Sequence, residues 1–129
     1  MYIKRKLYII DSVETNNFND SQIMLKISGL WQRVTSTFPK HCVKYGVYHN
    51  YETDFKGNYT LSVAIESGNG SVPLEIDGEY KIFDVDTAVE NSISKTWEKI
   101  WNMPISKAYT FDFEQYNPDG TIQIYIAVK

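Results

Sequence analysis

The sequence predicts an α+β fold built from two copies of a βαββ unit about a pseudo-twofold axis, giving an antiparallel sheet with two helices packed on one face. Three observations predict it. Two stretches carry apolar residues at helical spacing, each is flanked by stretches of period two, and the order strand, helix, strand, strand occurs twice. The two helices also share letters. Ile27-Ser28-Gly29-Leu30-Trp31-Gln32-Arg33-Val34 returns 66 residues later as Ile93-Ser94-Lys95-Thr96-Trp97-Glu98-Lys99-Ile100, with Ile, Ser and Trp unchanged and Gln/Glu, Arg/Lys and Val/Ile conserved in kind. The 129 residues are read as a single domain, with halves at approximately 1–68 and 72–129, neither of which could bury its sheet alone.

Each element follows from its own pattern. Residues 6–13 are β-rich. Ile23, Met24, Ile27, Leu30, Trp31, Val34 and Phe38 then fall at offsets of three and four, so a helix is expected from a cap at Asp20 to a stop before Pro39. From Tyr45 to Tyr51 the period drops to two, and Tyr59 to Glu66 alternates likewise, so the turn 54–58 joins a hairpin. Gly68-Asn69-Gly70-Ser71 reads as a connector, since it lacks the final Gly and the strand-to-helix setting of a dinucleotide loop. Period two resumes from Leu74 to Val85, with a turn expected at Asp77-Gly78. Thr87-Ala88-Val89-Glu90 has capping-box spacing, so a second helix is expected from there to about Asn102. Tyr109 to Tyr116 and Thr121 to Val128 form the last hairpin around Asn117-Pro118-Asp119-Gly120.

Alternation assigns the faces. Ile122, Ile124, Ile126 and Val128 form the apolar row and are expected against the helices, with Phe111 and Phe113. Asp112, Glu114, Tyr116 and Tyr125 are then expected on the opposite face beside Tyr48, Ser62 and Ala64, which describes a concave floor.

Composition narrows the function. Aromatic residues make up 15% of the chain, ten of them Tyr, which is more than a small core requires and suits a half-polar binding site. A net charge of -3 opposes phosphate neutralisation, so direct nucleic-acid binding is not expected. No apolar run approaches the length of a membrane span, and Leu7-Tyr8-Ile9-Ile10 is too short for the core of a signal peptide. A cytoplasmic location is expected, in keeping with the single cysteine. His41, Cys42 and His49 do not have metal-ligand spacing, and neither metal nor cofactor is expected.

Several ordered pieces together resemble the AraC effector-binding, or gyrase-inhibitor-like, domain family. They are Glu14-Thr15-Asn16-Asn17, Tyr45-Gly46-Val47-Tyr48-His49-Asn50-Tyr51-Glu52, Asp77-Gly78-Glu79-Tyr80-Lys81-Ile82-Phe83, Trp97-Glu98-Lys99-Ile100-Trp101, Phe113-Glu114-Gln115-Tyr116 and Ile124-Tyr125-Ile126. The resemblance implies the duplicated βαββ fold and a pocket at the junction of the halves, lined by aromatics and holding a glutamate, here Glu114. A carboxylate buried there would be driven toward its neutral form unless a cation relieved it. Aromatic faces at Tyr48, Tyr116, Tyr125 or Trp97 would add cation–π attraction of roughly 0.5–2 kcal/mol per contact. The candidate ligand-binding residues are therefore Glu114, Tyr48, Trp97, Tyr116 and Tyr125, while Trp31 is assigned to core packing.

The expected function is a stand-alone, non-enzymatic receptor for a small, cationic and aromatic or lipophilic molecule. A transcription regulator or other protein is a possible partner implied by the resemblance. Two alternatives stand beside it: a hydrolase of cyclopropane-bearing compounds using Glu114, and a gyrase-inhibitor-type interaction module, against which the small net charge argues.

Overall fold

The computed structural model describes residues 1–38, 41–66 and 73–129. In chain order it contains β1 (Tyr2–Thr15), α1 (Ile23–Val34), a short 3-10 turn (Thr35–Thr37), β2 (Lys44–His49), β3 (Tyr59–Ile65), β4 (Pro73–Val85), α2 (Ser92–Trp101), β5 (Asp112–Tyr116) and β6 (Ile122–Ala127). The βαββ unit occurs twice, and every strand pairing is antiparallel. The connector 68–71 and Pro39 lie outside the described residues.

The six strands close into a barrel in the order β1-β3-β2-β5-β6-β4, with β4 returning to β1. Closure depends on the two long strands, each of which serves two partners in succession. Residues Tyr2–Tyr8 of β1 pair with β4, and Tyr8–Thr15 pair with β3 across an irregularity between Ile9 and Asp11. Such a bulge bends a strand and increases its twist, which curls the sheet toward closure. In β4 the first half pairs with β1 and Tyr80–Val85 pair with β6. The turn expected at Asp77-Gly78 is therefore absent: both residues are in mid-strand, opposite Lys4 and Ile3.

A closed sheet has two buried surfaces, and this corrects the expected faces. Residues directly opposite in an antiparallel pair share a face. Phe113 is opposite Tyr125 and Val47, and these fill the barrel interior with Leu7, Tyr45, Ala64, Ile76 and Tyr80. Glu114 is opposite Gly46 and Ile124, on the outer surface that the helices cover. The Ile124 and Ile126 row does pack on α2, beside Ile93 and Trp97. Phe113 points the other way because the barrel needs its own core. Ser62 and Ala64, opposite Val47 and Tyr45, also face inward and not toward Tyr48.

Each helix serves its own half. Leu30 and Val34 of α1 pack on Tyr59, Leu61 and Val63 of β3, whereas Ile100 of α2 packs on Val85, Ile124 and Ile126. The first helix starts later than the expected cap at Asp20: Asp20 makes a turn ahead of it, with Oδ1 accepting from Gln22 N at 2.8 Å and its carbonyl from Ile23 N at 3.2 Å, and helix begins at Ile23 with Gln22 at its N-cap. The second helix starts later than predicted. Asp86 accepts from Val89 N and Ala88 N to make a turn, Asn91 adopts a left-handed conformation with φ 56°, and helix begins at Ser92. No Cα of α1 lies within 8 Å of one in α2. The helices thus flank the β2–β5 seam without closing over it.

Candidate functional site

The space between the helices is a cavity of about 470 Å³ with β2 and β5 as its floor. Tyr48 from β2 and Asp112, Glu114 and Tyr116 from β5 project into it, Trp31 enters from α1, and Trp97 and Trp101 enter from α2. Four of the five residues expected at the site, Glu114, Tyr48, Trp97 and Tyr116, come together here. Tyr125 does not. It stacks on Phe113 inside the barrel, with centroids 4.5 Å apart, because its position opposite Phe113 fixes it on the inner face.

Glu114 is 4% exposed and occupies the centre of the floor. Its Oε2 accepts from Trp97 Nε1 at 2.7 Å and Tyr48 Oη at 2.9 Å, and its Oε1 accepts from Tyr116 Oη at 2.6 Å. All three donors are neutral. Burial pushes the carboxyl above the usual carboxylate range, and the three hydrogen bonds pull it partly back. None of the four ion pairs among the described residues involves it. The space for this carboxylate is set by Gly46, directly across the pairing. A Cβ built at Gly46 would lie 3.2 Å from Glu114 Oε1 and 3.4 Å from Trp31 Cζ2.

Aromatic rings enclose the acid. Trp97 meets Tyr48 edge-on at 5.1 Å, and Trp31 meets Tyr116 edge-on at 5.2 Å, so Trp31 belongs to the cavity wall as well as to the core of its half. At one end Phe55 stacks on Trp101 at 5.1 Å, and Phe18 leans on both. Asn16 holds this rim, donating to Lys56 O and Asn58 Oδ1 while accepting from Phe18 N and Asn19 N.

A second acid escaped the sequence reading as a site residue. Asp112 is 4% exposed and lines the same cavity, accepting from Tyr51 Oη at 2.6 Å and from Ala127 N at 2.9 Å. Burial raises its carboxyl from 3.8 to about 6. The signal was its spacing from Glu114, since residues i and i+2 share a strand face. Tyr51, Phe55, Tyr59 and Tyr109 also line the cavity, and no local pattern in the sequence marks them.

Among the described residues no three His, Cys, Asp or Glu side chains gather where they could hold one metal ion. His49 is occupied elsewhere, with Nε2 2.7 Å from Ser62 Oγ and its ring stacked on Phe111. None of the described helices is long and apolar enough to cross a membrane. Chemically, the arrangement is a walled, desolvated carboxylate suited to a positively charged, apolar-bodied molecule.

Comparisons with known proteins place this geometry. The family model for Cass2, the integron-associated effector binding protein, matches residues 8–128. The crystal structure of an integron cassette protein from the mobile metagenome of Vibrio cholerae is similar over 100% of this chain and 94% of that one, at 26% identity and a TM-score of 0.81. No curated protein sequence matches. The resemblance to the AraC effector-binding, or gyrase-inhibitor-like, family is corrected by the family match. The pieces that carried it, such as residues 45–52 and 113–116, build the duplicated barrel and its aromatic wall. Matched along nearly its whole length, the chain belongs to the integron-associated effector-binding proteins.

Proposed function

We propose that the effector is an organic cation with an aromatic or lipophilic body, bound without chemical change, with its charge against Glu114. The observation that carries this is the burial of the Glu114 carboxylate among three neutral donors with no cation paired to it. A glutamine could meet those donors, with its amide oxygen accepting from Trp97 and Tyr48 and the Tyr116 hydroxyl turning to accept from the amide nitrogen. A carboxylate in that place adds a desolvation penalty that a positive ligand offsets while the acid stays ionised. Rings at Trp31, Tyr48, Trp97 and Tyr116 supply faces for the cation and surface for its apolar body.

Titration with benzyltrimethylammonium, followed by tryptophan fluorescence, tests this reading, since Trp31, Trp97 and Trp101 all line the cavity. Saturable binding is expected for the wild type, weakened roughly ten- to hundredfold in Glu114→Gln, the range of a buried charge-assisted contact. Equal affinity in the variant would refute the pairing.

A further inference from the structure

Resting on the reading that Glu114 pairs with a cation, we infer that the cavity holds a second cation subsite at Asp112, and that its preferred effectors carry two basic nitrogens. The two acids stand on one face of β5 at positions i and i+2, which places their Cα atoms about 6.7 Å apart. Both point into the same 470 Å³ cavity, and both are nine-tenths or more buried.

The protein's own use of Asp112 does not account for its charge. Oδ1 accepts from Ala127 N and Oδ2 accepts from Tyr51 Oη. Asparagine would make the first bond with its carbonyl oxygen and would meet the Tyr51 hydroxyl with its amide nitrogen, without burying a charge. A carboxylate has about four acceptor positions, so roughly two on Asp112 remain for a ligand donor. The groups facing it are Tyr51 just after β2, Lys107 and Tyr109 from the connector before β5, and Glu114 two residues along, with Tyr80 of β4 near it from the barrel side. Lys107 is the one cationic side chain on the cavity wall among the described residues. Its Nζ reaches Met103 O, it forms none of the ion pairs found there, and it lowers the Asp112 carboxyl only as the smallest of the contributing influences. Counting the exposed Glu98, the cavity wall carries three acids against one cation, an imbalance of two charges that a dication corrects and a monocation halves.

The spacing selects the ligand. Two nitrogens joined by four methylenes lie about 6 Å apart when extended, given single bonds of about 1.5 Å, close to the separation of the two acids along β5. The matched probes are N-benzylbutane-1,4-diamine and N-benzylpentylamine, which have the same length and differ in whether the chain ends in ammonium or methyl.

Calorimetric titration at pH 7.5 is expected to show the diamine binding about tenfold more tightly than the monoamine to the wild type. In Asp112→Asn the diamine is expected to lose about tenfold more affinity than the monoamine, so that the preference disappears. In Glu114→Gln both probes weaken. A measurement on the wild type guards against a variant that folds poorly: the preference should shrink toward one as the pH falls below about 6, where Asp112 takes up a proton. Wild type that binds both amines equally, or a preference that survives in folded Asp112→Asn, overturns the second subsite and leaves the Glu114 reading intact. Monoamine binding that is unaffected by Glu114→Gln overturns the first reading, and failure of the wild type to bind either amine overturns both.

Discussion

Replacing Asp112 with asparagine should make the ligand-free protein more stable at neutral and alkaline pH, although the residue is buried and hydrogen-bonded. The carboxyl is raised from 3.8 to about 6 because burial outweighs the help of Tyr51 and Ala127 N. At about 1.4 kcal/mol per pH unit, that gap corresponds to about 3 kcal/mol. Its sign is that of a raised acid. The folded chain holds the proton more tightly than the unfolded chain, so the contribution is fully present below pH 3.8 and is lost as the pH rises through about 6. Asparagine keeps the neutral form at every pH. Urea unfolding of both proteins at pH 3.5 and pH 8 measures the difference, with other titrating groups cancelling at each pH. Near-equal midpoints are expected at pH 3.5, and the variant should be more stable by about 3 kcal/mol at pH 8. A wild type as stable as the variant at pH 8 would mean that the carboxylate carries no burial penalty, and the account of the cavity as a desolvated acidic site would fail with it.

Two further predictions separate the cavity from the barrel. Gly46→Val should place methyl groups against the Glu114 carboxylate and Trp31, costing about 1–3 kcal/mol of stability and weakening benzyltrimethylammonium several-fold, as read by urea unfolding and fluorescence titration. Gly78→Ala, whose added Cβ meets nothing within 4 Å, should leave that affinity unchanged. Tyr125→Ala should lose about 3–5 kcal/mol by emptying the barrel core beside Phe113, whereas Tyr125→Phe should match the wild type in cation affinity; a large affinity loss in Tyr125→Phe would place that ring in the cavity after all.

Much of the fold was legible because it is written locally. The Trp31 and Trp97 stripes and the two hairpins depend on spacing within a few residues, and the repeat of residues 27–34 at 93–100 announced the duplication. Barrel closure was not legible, since the pairing of β1 with β4 joins residues some seventy positions apart and no short pattern encodes it. That one long-range fact misdirected Phe113, expected toward the helices, and Asp112, Glu114, Tyr116 and Tyr48, expected away from them, because a rule that sends only the most apolar rows toward the helices assumes a sheet with one buried face. Tyr125, Ser62 and Ala64 do face away from the helices, but into the barrel and not onto a shared floor. Asp77-Gly78 has turn composition but is held extended by ladders to β1, and Thr87-x-x-Glu90 has capping spacing but precedes a left-handed Asn91. At the site, Glu114 and three of its aromatic neighbours were found through the family-like pieces. Asp112 was placed on the same face as Glu114 but not among the binding residues, because none of the family-like pieces contains it.

The central claim is that positive charge, and not merely shape, is what the Glu114 cavity recognises. Benzyltrimethylammonium and neopentylbenzene have the same outline and differ in one atom, a cationic nitrogen against a neutral carbon. Their competition for the wild-type protein, followed by tryptophan fluorescence, tests the claim directly. The cation is expected to bind at least tenfold more tightly, and Glu114→Gln to remove most of the advantage. Equal or tighter binding of the neutral isostere to the wild type would contradict it.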